Sequence, residues 1–140
     1  MSTLVMMKGL PKSGKTTWAK KWASEKHNRI RVSWTDILQL MGPDFRKERQ
    51  TLAFDAALRL MRNALRNDMD VVLDECNLYG PEWGIFYAYA QQAHAKIVWK
   101  TMETPLEVCL QRNKEAGSPL LDEQIVRLNE KWGLWLKQRR

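Results

Sequence analysis

The chain has 140 residues, 44% of them hydrophobic, with 23 Lys/Arg against 16 Asp/Glu and a formal charge of +7. That length leads us to expect one domain over residues 1–140, with one core, one site and no second catalytic unit. The positive balance favours polyanionic partners, nucleotide phosphates or nucleic acid, and carries no information about fold.

The surplus is local: residues 1–50 hold eleven Lys/Arg and only four acids, and the rest of the chain nearly balances. No apolar run approaches the roughly 20 residues that span a bilayer, and no signal-peptide core precedes the first motif. Cys76 and Cys109 have neither CxxC spacing nor a histidine at metal-ligand distance, so they read as reduced core thiols. The expectation is a soluble, cytoplasmic protein.

In chain order, "TLVMMK" (Thr3–Lys8) reads as a buried strand and residues 15–27 as a helix with Trp18, Ala19, Trp22 and Ala23 at helical spacing. Residues 29–34 alternate as a second strand. Helices follow over residues 36–41 and 46–67, the latter with Leu52, Ala56, Leu60 and Ala64 on one stripe. "VVLD" (71–74) is a short third strand, residues 81–94 a helix and "KIVWKT" (Lys96–Thr101) a fourth strand. Thr104 as N-cap and Pro105 at the first helical position open a helix to about Asn113. A polar turn over 114–119 leads to an amphipathic helix over 120–138. Strands alternating with helices imply right-handed crossovers and an α/β three-layer domain, a parallel sheet of about four strands with helices on both faces.

Between the first strand and first helix, "GLPKSGKT" (Gly9 to Thr16) matches G-x-x-x-x-G-K-[ST], the phosphate-binding loop, in the context that separates the motif from a chance match. Glycines let backbone amides curl around an anion at the positive end of the helix. Gly9, Pro11, Lys12, Ser13, Gly14, Lys15, Thr16 and Thr17 form the candidate nucleotide cradle. Lys15 would neutralise the β- and γ-phosphates, and Thr16 would place its hydroxyl on Mg²⁺. ATP and Mg²⁺ are the cofactors this loop implies.

Phosphoryl transfer also needs a group to orient and deprotonate an acceptor, and a cation against the developing charge. Asp36 follows the second strand, at the carboxyl edge where an open parallel sheet gathers its site, and suits a general base; it also suits the N-cap of the helix that follows. In "VVLDECNLYGPEW", Asp74 is a candidate for the Mg²⁺ shell with Glu75 as its rival. Asn77 could bond the acceptor or fix the turn. Arg112 ends a helix just before a polar segment and suits a lid cation over the nucleotide, although its place also suits the helix dipole; Arg127 is a second, weaker candidate. Of the seven tryptophans, Trp18, Trp22, Trp132 and Trp135 fall at helical spacing and read as core, while Trp34 beside Asp36 is a possible stacking surface for an acceptor base.

These residues together resemble the bacteriophage-type 5′-hydroxyl polynucleotide kinases. The likeness rests on "GLPKSGKTTWA", on "SWTDILQ" in place of the catalytic-aspartate segment, on "FDAALRLM" (Phe54 to Met61), on "LDECNL" and on "LQRN" (Leu110 to Asn113) at the start of a lid. It implies a P-loop kinase domain with a small C-terminal lid, Lys15 and Thr16 on phosphates and Mg²⁺, Asp36 as base toward a 5′-hydroxyl, and Arg112 as lid cation. Two positions depart from the family: Leu38 stands near the place of an arginine that serves the acceptor side, and Cys76 replaces a usual threonine.

The expected activity is therefore transfer of the ATP γ-phosphate to the 5′-hydroxyl end of DNA or RNA, in the setting of nucleic-acid repair. The alternative is a kinase of a small hydroxyl compound, a nucleoside, nucleotide sugar or antibiotic. A nucleotide-dependent binding module without an acceptor is the third reading.

Overall fold

The computed structural model describes residues 1–44, 46–78, 81–117 and 120–138, the final helix by backbone alone from residue 134. Among these residues four strands and six helices alternate: β1 (Thr3–Lys8), α1 (Lys15–Ser24), β2 (Arg29–Val32), α2 (Trp34–Leu40), α3 (Lys47–Arg66), β3 (Asp70–Leu73), α4 (Glu82–Gln92), β4 (Lys96–Thr101), α5 (Leu106–Glu115) and α6 (Asp122–Gln138). The strands form one parallel sheet in the order β2-β3-β1-β4. The expected α/β fold is observed.

The period-2 alternation of the strands decides which helix covers which face. Leu4 and Met6 of β1, with Val71 and Leu73 of β3, point into a core shared with Ala57 and Met61 of α3 and Phe86 and Ala90 of α4. Val5, Met7 and Val72 point the other way, onto Ala19, Trp18 and Trp22 of α1. The step from β1 to β2 thus crosses one face in one direction, and the steps to β3 and β4 cross the opposite face in the other direction, which keeps every crossover the same hand. The chain turns outward in two directions from β1 and β3, so their carboxyl ends flank the crevice where a ligand fits an open sheet.

Three expectations require correction. The buried stripe of α3 is Ala53, Ala57, Met61, Ala64 and Leu65, while Leu52 and Leu60 are 60% and 46% exposed. Two stripes one residue apart compete in this sequence, and the alanine-rich one wins because small side chains let the helix approach the sheet closely. The first helix ends at Ser24, three residues early, since Glu25 to His27 offer no apolar residue to extend the packed face. Trp34 is not a free stacking platform: its ring lies 5.5 Å from Phe54 and 5.4 Å from Phe86 in the core beneath α2.

Trp18 and Trp22 are partly buried against the α1 face, and Trp132 packs in a third cluster with Leu10, Leu78, Cys109 and Ile125 that seats α5 and α6 under the loop. The side chain of Trp135, and Ser118 and Pro119 of the expected turn, lie outside the described residues. Both cysteines are free, and burial raises both thiols above their ordinary range. No helix among the described residues is long and apolar enough to cross a membrane.

Candidate active site

The loop after β1 is curled by its backbone. Lys12 and Gly14 adopt φ of 67° and 99°, the left-handed region, and a Cβ at Gly9 would lie 2.8 Å from Ser13 Oγ and 3.1 Å from Met102 Cβ. Glycine at position 9 is therefore a packing requirement. The loop is fastened at both sides. Gly9 N donates to Cys76 O (3.1 Å), and Asn77, at φ 50°, donates its amide to Met7 O (2.6 Å), so the end of β3 holds the end of β1. On the other side Met102 N donates to Lys8 O (2.7 Å) and the Thr104 hydroxyl to Ser13 O (2.7 Å).

That last bond corrects a further expectation. Thr104 does not cap its own helix: α5 begins at Leu106 with Pro105 in the cap position, and the threonine hydroxyl serves the loop instead. Helix α1 starts at Lys15 with Gly14 as a bare cap and no acid in its first turn, which leaves its leading N–H groups and dipole open to an anion. The Ser13 hydroxyl is buried with no hydrogen-bond partner among the described residues, an orphan that fits a cradle for an oxyanion. Lys15 is buried and folds back, donating Nζ to Gly9 O (3.1 Å) and Leu10 O (2.7 Å). Thr17 is exposed beside Thr16, Pro11 is half-buried in the loop, and Arg112 reaches over it from α5 to donate to Lys12 O (3.1 Å). Arg127 is exposed on α6.

The Asp36 side of the site is made of side chains. Thr16 Oγ1 donates to Asp74 Oδ2 (2.8 Å), at the end of β3. The same oxygen accepts from Arg31 Nε (2.8 Å) and meets Arg31 Nη2 at 2.7 Å, while Arg31 Nη1 reaches Asp36 Oδ2 at 2.5 Å. The two carboxylates outweigh the desolvation of Arg31 and raise its pKa. Asp36 is not an N-cap. Ser33 caps α2, accepting from Asp36 N (3.2 Å), and Asp36 sits in the first turn with its side chain 47% exposed.

Glu75 faces the other way, under α2. It accepts from the Thr35 hydroxyl (2.5 Å) and the Ser33 hydroxyl (3.2 Å). Burial pushes its carboxyl up to about 7 despite those donors. It thus fastens α2, the helix that carries Asp36, to β3.

The sequence-predicted residues of the cradle, with Asp36, Asp74 and Arg112, are brought to one crevice. Asn77 is engaged with backbone, its Oδ1 buried and unpartnered among the described residues. Nothing in the sequence pattern alone singles out Arg31. Its strand position, two residues before the Ser33 cap and on the same edge as Asp36, is the signal that places it. A Thr16 hydroxyl beside an Asp74 carboxylate is a hard-oxygen pair that suits Mg²⁺. Among the described residues there is no group of three His, Cys, Asp or Glu that could hold a metal.

A parallel sheet with this loop at the mouth of β1 defines the P-loop kinase fold. The model of the AAA domain family matches residues 4–123, and the chain belongs to that family. It is 26% identical over 132 residues to L-seryl-tRNA(Sec) kinase of Methanococcus maripaludis, an alignment spanning 92% of this chain and 52% of that protein. Among solved structures, a chain of the Pnkp1/Rnl/Hen1 RNA repair complex superposes with a TM-score of 0.87 at 17% identity, over 99% of this chain and 46% of that one. The Deinococcus radiodurans tunicamycin resistance protein superposes with a TM-score of 0.66 at 15% identity, over 95% of this chain and 79% of that one. The chain spans about half the length of the curated relative it matches.

Proposed function

We infer that this chain is a phosphotransferase that moves the γ-phosphate of ATP to the 5′-hydroxyl end of DNA or RNA. One observation supports the reading above others. A continuous line of contacts runs from the loop hydroxyl of Thr16 through Asp74 and Arg31 to Asp36, and Asp36 is half exposed at the crevice. Nucleotide side and acceptor side are thereby adjacent.

In this reading the triphosphate enters the loop and Lys15 leaves its carbonyl partners for the β- and γ-phosphates. Arg31 engages one oxygen of Asp36; the other accepts no hydrogen bond among the described residues and can take the hydroxyl proton. As the proton passes to Asp36, the acceptor oxygen bonds to the γ-phosphorus and the β–γ bridging P–O bond breaks, leaving ADP and a 5′-phosphate. Lys15 and Arg112 stabilise the charge that spreads over the transferring group. Thr16 and Asp74 would hold Mg²⁺, which would supply charge neutralisation to the phosphates.

A nucleic-acid acceptor is favoured by the basic surplus of residues 1–50 and by the names of two similar proteins, a tRNA kinase and an RNA repair complex. The second reading, a small hydroxyl acceptor, draws on two observations: Trp34 is packed away from the crevice and Leu38 stands where the resembling family carries an arginine. The test is transfer of labelled γ-phosphate to 5′-hydroxyl DNA and RNA oligonucleotides over a salt series. Label on the oligonucleotide with a KM that climbs steeply with salt supports the first reading. Absence of label, with ATP bound, overturns it in favour of the second.

A further inference from the structure

Among the described residues Arg31 alone bonds both Asp74 and Asp36, and its geometry is unequal. Two of its nitrogens, Nε and Nη2, converge on Asp74 Oδ2 at 2.8 and 2.7 Å, and one, Nη1, is drawn to Asp36 Oδ2. The Arg31 side chain is 15% exposed and that of Asp74 2%, so this charge is held by protein and not by solvent. Asp74 Oδ2 accepts a third bond, from Thr16 Oγ1. The oxygen that belongs to the cation side of the nucleotide site is therefore saturated by donors, two of them on one fixed positive group.

We propose that Arg31 is a built-in counter-cation that competes with the divalent ion for Asp74, and that Asp36 sets the competition by pulling Arg31 toward the acceptor side. A divalent ion entering beside Thr16 meets a guanidinium whose positive charge opposes it across Asp74. For Asp74 to turn Oδ2, the oxygen that Thr16 and Arg31 share, to the ion's water shell, Arg31 must shift its weight to Asp36. Because the guanidinium is one rigid fork, loss of one carboxylate returns it to the other. Occupancy of the metal site is in this way coupled to the residue that faces the acceptor. The inference rests on the nucleotide half of the function proposed above and is independent of which hydroxyl accepts the phosphate.

The experiment is Mn²⁺ binding to the full chain with saturating ADP, free Mn²⁺ being counted by its electron paramagnetic resonance signal, with no acceptor present. Arg31→Gln is expected to bind Mn²⁺ about three- to tenfold more tightly than the unaltered chain, since a nearby partly screened positive charge is gone. Asp36→Asn is expected to bind it about threefold or more weakly, and that loss should fall below about twofold when Arg31 is Gln as well. Should Arg31→Gln fail to fold, Arg31→Lys serves: it keeps the charge on a single ammonium that cannot fork, so Asp36→Asn should again lose its effect.

Equal or weaker Mn²⁺ binding by Arg31→Gln overturns the competition. An Asp36→Asn effect that persists undiminished in either Arg31 background would mean that Asp36 acts on the ion directly, and overturns the coupling. An unaltered chain that holds no Mn²⁺ with ADP overturns the nucleotide–metal site itself, a failure distinct from both.

Discussion

The loop side and the Asp36 side of the crevice are built by different means. Gly9 to Thr16 is held by backbone: left-handed residues at 12 and 14, a glycine whose Cβ would crowd Ser13 and Met102, and fastenings to the segments after β3 and after β4. The Asp36 side is held by side chains distant in sequence, Arg31 with Asp74 and Ser33 and Thr35 with Glu75, around a helix of only seven residues. A backbone cradle binds the part common to every nucleoside triphosphate. A side-chain scaffold can be rebuilt one residue at a time, so this is the side on which such a fold can diverge.

Lys15→Ala should lower phosphate transfer by on the order of ten-thousandfold, because the cation is lost both from ground-state phosphates and from the transition state. Steady-state transfer rates together with a nucleotide titration check this; transfer within tenfold of the unaltered chain would remove Lys15 from the site. Arg112→Ala should cost about a hundredfold in kcat while ATP affinity stays within about threefold, as expected of a group that acts mainly on developing charge. An equal rise in KM with kcat unchanged would make Arg112 a simple binding residue.

Glu75 sharpens the Asp36 side through pH. Its folded carboxyl titrates near 7 against an ordinary value of 4.5, so the folded state holds the proton more tightly than the unfolded chain does. The sign is therefore a loss of stability as pH rises from the ordinary glutamate range to about 7, level above that. Glu75→Gln mimics the protonated form and should remove this loss. Thermal melts should find the two proteins similar near pH 5 and the variant more stable at pH 8; a constant difference across that range would refute the assignment. The smallest effect belongs to Thr104→Val, which removes one hydrogen bond to the loop and should cost about 1 kcal/mol, a fall of roughly 3–5 °C in Tm.

What could be read in advance follows the same division. The loop, the strands Thr3–Lys8 and Lys96–Thr101, and the parallel topology were legible because each is written in a short contiguous pattern, of glycine spacing or apolar runs. The stripe of α3 was misread because two apolar rows one residue apart fit the helical period, and only the sheet chooses between them. Proximity to Asp36 in sequence says nothing of direction: side chains two apart on a helix point about 160° from each other, and Trp34 points into the core where Phe54 and Phe86 lie. Arg31 was invisible for a related reason. A strand residue reveals its face, not its partner, and the partners here are five and forty-three positions away. Thr104 carried the right cap chemistry, but the bond it makes is to Ser13, ninety-one residues back.

In the proposed function the loop side binds the nucleotide and Asp36, on the other side, activates the acceptor. The most direct measurement is the single-turnover rate of γ-phosphate transfer to a 5′-hydroxyl oligonucleotide by the unaltered chain and by Asp36→Asn, with ATP affinity measured on the same preparations. The account predicts a rate reduced about a thousandfold with ATP affinity within about threefold of the unaltered chain. A variant that transfers phosphate at an undiminished rate would contradict it and take the general base away from Asp36.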